Sequence, residues 1–146
     1  MVTFEAELST GSLEALIKDL DKYVDNLDKT IYSINEAIAI EAEKIVNQYV
    51  PIRKGDLQRS IKKEIAKEYA RIYTDNDHAL FAEFGTGVEG KRKSHPKYEE
   101  YGWVYDIHKQ NWTGYVGHKY MYKTYIDMQE RLKPIAEEVL RRRGLI

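Results

Sequence analysis

From Leu13 to Tyr49 the chain carries one continuous apolar stripe. Leu16, Leu20, Val24, Leu27, Ile31, Ile34 and Ile38 recur every three or four residues, and Ala42, Ile45 and Tyr49 continue the series. That spacing gathers them on one face of an amphipathic α-helix. The length of the stripe is what constrains the fold. A single helix over residues 12–50 measures about 58 Å, whereas a compact domain of 146 residues is only about 38 Å across. Either the helix breaks, with Asn26 to Thr30 as the expected place, or part of it projects and buries its stripe against another subunit. The break is the reading adopted, although the stripe runs through that place without interruption.

The rest of the chain punctuates itself. Val2, Phe4, Ala6 and Leu8 alternate with polar residues, as in a short half-buried strand. Thr10-Gly11-Ser12 is expected to turn, with Ser12 as the N-cap of the long helix. Past Pro51 the pattern shortens: Ile61 to Ala66 and Tyr69 to Thr74 are expected to form a hairpin, and Asp75-Asn76-Asp77 a turn. Ala79 to Phe84 fits a further strand or a short helical turn. Residues 88–117 are expected to be a long loop, with Gly102 to Tyr105 and Asn111 to Tyr115 as the arms of a protruding hairpin. Lys119 to Tyr122 is expected as a last strand. A C-terminal helix then follows, with Tyr125, Met128, Leu132, Ile135 and Val139 on one face and Pro134 kinking or restarting it. The fold class expected is α+β: an antiparallel sheet with the long and the C-terminal helices on one face, in a single domain over 1–146.

Composition excludes several chemistries. The chain holds no cysteine, so disulfides and thiolate chemistry are ruled out. Its first residues lack the basic and apolar regions of a signal peptide, and no apolar run is long enough to span a bilayer, so no membrane contact is expected. Net charge is −1 but unevenly placed. Residues 1–50 carry ten acids against four bases, and residues 51–74 seven bases against three acids. Such asymmetry suits head-to-tail packing of subunits or a charged partner.

Candidate sites weigh towards structure. His78, His95, His108 and His118 match no metal-ligand spacing, and loop histidines of this kind are expected to be exposed. The paired acids Glu99-Glu100 and Glu137-Glu138 are expected as surface charge. No nucleophile elbow or phosphate-binding glycine loop occurs, so neither a catalytic residue nor a cofactor is expected. Glu83, between Phe81 and Phe84 and ahead of two glycines, is expected to be partly buried with its charge matched by a base. The basic loop Lys91, Arg92 and Lys93 is the best candidate for DNA contact, although Glu89, Glu99 and Glu100 flank it. Residues 98–125 hold seven of the twelve tyrosines and both tryptophans. Trp103, Tyr105, Trp112 and Tyr115 are therefore expected at an interface, because such side chains bury a large area while keeping a polar handle.

Two motifs carry a resemblance. Pro51, Gly55, Leu57, Ser60 and Ile61 match P-x-x-x-G-x-L-x-x-S-I, a long helix ending at the proline, a turn at the glycine and one short turn capped by Asp56. Tyr69-Ala70 follows, and Glu83, Phe84, Gly85 and Thr86 spell E-F-G-T. These resemble the head–tail joining, or tail-completion, proteins of long-tailed bacteriophages and prophages. The segment from Gly117 to Tyr125 lacks a proline and an alanine that the family carries there. The resemblance implies a small α+β domain, without reaction or cofactor, that forms a ring, often a hexamer. It would sit at the head–tail interface of the virion after assembly in the host cytoplasm, meeting tail tube or tail terminator proteins and head connector proteins.

Two other classes remain open from sequence. A small nucleic-acid-binding or nucleic-acid-cleaving α+β protein would need Arg53, Arg59, His78 and Glu83 to converge. A monomeric binding adaptor would show no self-association.

Overall fold

A computed structural model describes residues 10–101 and 112–146. The stripe becomes α1, Thr10–Tyr49, an unbroken helix of 40 residues and about 60 Å. The break expected at Asn26 to Thr30 does not occur. The hydroxyls there bond back onto the helix: Thr30 Oγ1 donates to the Asn26 carbonyl at 2.7 Å and Ser33 Oγ to the Lys29 carbonyl at 2.9 Å. Satisfied four residues back, they offer no alternative to helical hydrogen bonding. Thr10 to Ser12, expected as a turn, already belongs to α1, and the strand expected over Val2 to Leu8 lies outside the described residues.

The helix stops where Pro51 removes an amide donor and forces Val50 out of helical geometry. Gly55 then adopts φ 78°, a left-handed conformation that glycine reaches without a Cβ penalty. It precedes α2, Asp56–Ser60. Asp56 was expected to cap this turn, but it is the first helical residue, and its carboxylate pairs with Arg59 instead. β1 (Lys62–Ile65) and β2 (Ala70–Tyr73) form the expected antiparallel hairpin, with Lys62 opposite Tyr73 and Ile65 opposite Ala70. The hairpin lies along α1. Lys63 pairs with Glu43 and Lys67 with Asp28, while the Asn35 side chain donates to the Ala66 and Lys67 carbonyls.

Ala79 to Phe84 takes the short helical form of the two expected there, and the chain beyond it to Val116 holds more structure than the loop expected over 88–117. α3 (Ala79–Phe84), β3 (Gly85–Thr86), α4 (Gly87–Arg92), α5 (Tyr98–Tyr101) and β4 (Tyr115–Val116) follow one another. β4 pairs antiparallel with β3. The end of the expected second hairpin arm is therefore tied to the E-F-G-T corner, and the first arm falls outside the described residues. The strand expected at Lys119 to Tyr122 is instead the start of α6, Tyr120–Arg142, which runs through Pro134.

α6 lies antiparallel on α1. Tyr49 donates to Asp127 at 2.6 Å, Glu41 pairs with Arg131, and Arg143 donates to Ser33 at 3.2 Å, so the numbering falls on one helix as it rises on the other. Between them lie two apolar clusters. Val46, Val50, Ala82 and Tyr120 form one, with Leu57, Ile61, Ile72 and Met121 against it. Ala42, Ile45 and Met128 form the other, with Ile38, Leu132 and Ile135. Tyr125, expected on the core face of α6, is exposed. The molecule is thus α+β, with a long N-terminal helix, a C-terminal helix and small antiparallel sheets. The single sheet expected is two separate two-stranded ribbons, β1–β2 and β3–β4. No helix among the described residues is long and apolar enough to cross a membrane.

Candidate functional site

The E-F-G-T motif builds a corner where α3 ends and α6 begins. α3 presents Glu83 to the interior, where only 5% of its surface stays exposed. Its carboxylate accepts the Met121 amide at 2.7 Å, the Tyr122 amide at 2.9 Å and His95 Nε2 at 2.7 Å. The first two donors belong to the opening turn of α6, whose free amides and positive dipole end favour an anion there. Glu83 therefore caps α6 from another element, which is why Tyr120 to Tyr122 is helical rather than extended.

His95 is held on both ring nitrogens. The Lys97 amide donates to Nδ1 at 2.9 Å, so the ring proton sits on Nε2 and points at Glu83. Phe84 lies against the imidazole with ring centroids 4.2 Å apart, and Tyr122 meets it edge-on at 5.3 Å. The side chain that meets Glu83 is thus His95, through a hydrogen bond from Nε2 rather than through the matching charge expected there. It was among the histidines expected to be exposed, yet it is buried; His78 and His118 are exposed, and His108 falls outside the described residues. Nothing in local spacing marks this partnership, since twelve residues and a helix separate the two side chains.

The backbone closes the corner. The His118 amide donates to the Ala82 carbonyl at 2.7 Å and Lys119 to that of Glu83 at 3.0 Å. Gly85 has φ 82°, and a Cβ there would stand 2.5 Å from both the Gly117 nitrogen and the Tyr115 oxygen. Only glycine allows the two chains to approach this closely. Thr86 is buried beside it, its hydroxyl accepting the Tyr115 amide at 3.3 Å. Burial raises the phenol pKa of Tyr120 well above its ordinary value, and the nearby Glu83 charge adds to the effect.

The first motif forms the neighbouring connection. Pro51 ends α1, Gly55 turns the chain, and Leu57 and Ile61 pack on the core. Ser60 Oγ donates to the Leu57 carbonyl at 2.6 Å and lies 2.6 Å from Thr74 Oγ1, joining α2 to the end of β2. An open groove of about 820 Å³ runs between the Tyr73–Asp77 segment, α3 and the start of α6, with Leu80, Phe84 and Tyr125 on its walls.

The other candidates lie apart from this corner. Lys91 and Arg92 end α4 and Lys93 follows it; all are exposed, and Arg92 pairs with Glu89 at 2.6 Å. Trp112 and Tyr115 keep 36% and 40% of their surface, whereas Trp103 and Tyr105 lie outside the described residues. Glu99 and Glu100 are exposed, and Glu137 and Glu138 pair with Lys133 and Arg142. Of the residues a nuclease would need to gather, Arg59 bonds to Asp56 and the Lys54 carbonyl, His78 is exposed, and Glu83 is committed to three donors. No group of three or more metal-binding side chains occurs among the described residues.

Residues 14–104 match the protein-family model HK97-gp10-like, described as "Bacteriophage HK97-gp10, putative tail-component". The match covers more than half of the chain and both motifs. The chain belongs to this family of bacteriophage tail components. No curated protein and no solved structure matches it.

Proposed function

We propose that this family member completes the phage tail and joins it to the head connector, acting as a ring of identical subunits without catalysing a reaction. The family match carries this reading, because it spans the α1–β1 connection and the E-F-G-T corner together. The site chemistry agrees with it. Glu83, the one buried carboxylate of the corner, is saturated by donors that hold the fold together, which leaves it unsuited to acid–base work. The surface suits contact: a bare apolar stripe on α1, half-exposed Trp112 and Tyr115, and an acidic first third followed by a basic hairpin. Heterologous contacts between the unlike acidic and basic faces close into rings. A hexamer at the head–tail interface is the assembly this reading proposes, with tail tube or terminator proteins on one side and connector proteins on the other. The Lys91 to Lys93 segment is the surface nearest in character to a DNA contact.

The test is deletion of the gene from the producing phage or prophage, followed by induction and negative-stain imaging of the lysate. Filled heads separate from tails, or tails of abnormal length, are the expected result. Intact infectious particles in normal number would overturn the reading, and nuclease assays on the purified protein would then decide for the nucleic-acid alternative.

A further inference from the structure

α6 covers the stripe of α1 only from Tyr49 back to Ser33, where Arg143 ends the contact. The stripe itself continues. Ile17, Leu20, Val24 and Leu27 each keep between 48 and 51% of their surface, and Tyr23 keeps 68%. They are spaced alternately by three and four residues, the seam that packs against a second helix rather than against a flat surface. The seam runs without a break into the covered half, where Ile38, Ala42 and Ile45 meet α6. The bare and the covered segments are therefore one helix-packing surface, and α6 occupies only half of it.

We infer that the bare half of α1 pairs antiparallel with the same segment of a second copy of this chain. The contact is a self-association distinct from the ring proposed above, whose closure is heterologous. The exposed apolar residues offer about 500 Å² per copy, so a symmetric pair buries about 1,000 Å², the size at which specific interfaces begin. Orientation follows from α6. In a parallel pair both α6 helices would lie between the two α1 helices at the same level. They would hold them about 20 Å apart, whereas packed helices need about 8–10 Å. In the antiparallel pair the second copy's α1 takes up the track that α6 leaves, and the two bodies lie at opposite ends. Ile17 then faces Leu27 of the second copy, and Leu20 faces its Val24. The arriving helix N-terminus with Glu14 meets the C-terminal end of α6 with Arg141, Arg142 and Arg143, so charges and helix dipoles are complementary. A two-fold contact joins copies in pairs, which leaves ring closure to other surfaces.

Sedimentation equilibrium of the purified protein tests this, with the double variant Leu20→Glu/Leu27→Glu beside it. Neither leucine supports the core, so helix content and the Tm of the dilute monomer should be unchanged, while the dissociation constant of the pair should rise roughly tenfold or more. Equal association of variant and wild type would overturn the stripe contact while leaving the tail-joining role to the lysate experiment. A wild type that stays monomeric at high concentration would likewise overturn the pair, with the ring still decided by the lysate experiment. Because the chain has no cysteine, single-cysteine variants give the orientation. Leu20→Cys mixed with Val24→Cys should oxidise to a dimer that neither forms alone. A disulfide formed readily by Leu20→Cys alone would mean a parallel pair and would overturn the inference.

Discussion

Replacing Glu83 by Gln keeps the shape of the side chain and removes what three donors point at. The amide oxygen can serve one side of the corner, but the NH2 group must then face a backbone amide or the His95 Nε2 proton. A buried donor left facing a donor, together with the lost charge, should cost about 2–4 kcal/mol in urea unfolding. A loss under about 0.5 kcal/mol would mean that Glu83 does not hold the corner. The glycines predict a contrast. A Cβ on Gly55 meets only the flexible end of Arg59, whereas one on Gly85 meets backbone on two sides. Gly55→Ala should therefore cost about 1 kcal/mol through its φ alone, and Gly85→Ala about 3 kcal/mol or more. Equal Tm shifts for the two variants would contradict the close approach. Tyr120 predicts an alkaline limit. Its phenol is raised in the folded state by burial first and then by Glu83. Its contribution is thus complete below the unfolded tyrosine value of about 10 and is lost as pH rises beyond it. Stability measured from pH 8 to 11 should fall less steeply in Tyr120→Phe than in wild type.

At the scale of elements, α1 is one helix with two environments. Ile45 is fully buried in the seam with α6, and Leu20 lies half exposed on the bare segment. Ile45→Ala should cost about 2–4 kcal/mol. Leu20→Ala, measured on the monomer in dilute solution, should stay within about 0.5 kcal/mol. A similar cost at both positions would mean that the bare segment is packed within the monomer. The stripe, the β1–β2 hairpin and the C-terminal helix were all legible in the chain, because each follows a local period of 3.6 or 2 residues. The continuity of α1 was not, since the back-bonding of Thr30 and Ser33 leaves no trace in hydrophobic pattern. The start of α6 was misjudged as a strand for a related reason. Tyr120 to Tyr122 has β-forming side chains, and the group that makes the segment helical is a carboxylate nearly forty residues earlier.

For the whole molecule, the exposed aromatics and the bare stripe predict function separable from folding. Trp112→Ala should leave Tm within a degree or two of wild type yet fail to restore joined particles when supplied to a phage lacking the gene. Full complementation by that variant would remove Trp112 from the assembly surface. The family was readable at the same scale, because the P-x-x-x-G-x-L-x-x-S-I and E-F-G-T elements shape two adjoining connections of one fold. The match over residues 14–104 contains both.

What the residues determined unaided were the periods, the stops and the turns: an amphipathic helix ending at Pro51, a hairpin, a turn at Gly55, and a chain without thiol chemistry. These depend on contacts within a few residues, so they are written locally. The tertiary structure alone decided that Glu83 takes His95 as partner and caps α6, and that β3 pairs with β4 rather than with a nearer segment. It also decided that α6 stops at Ser33 and leaves half of the stripe bare. Each depends on which distant groups are brought within hydrogen-bonding or packing distance, and sequence period carries no information about that.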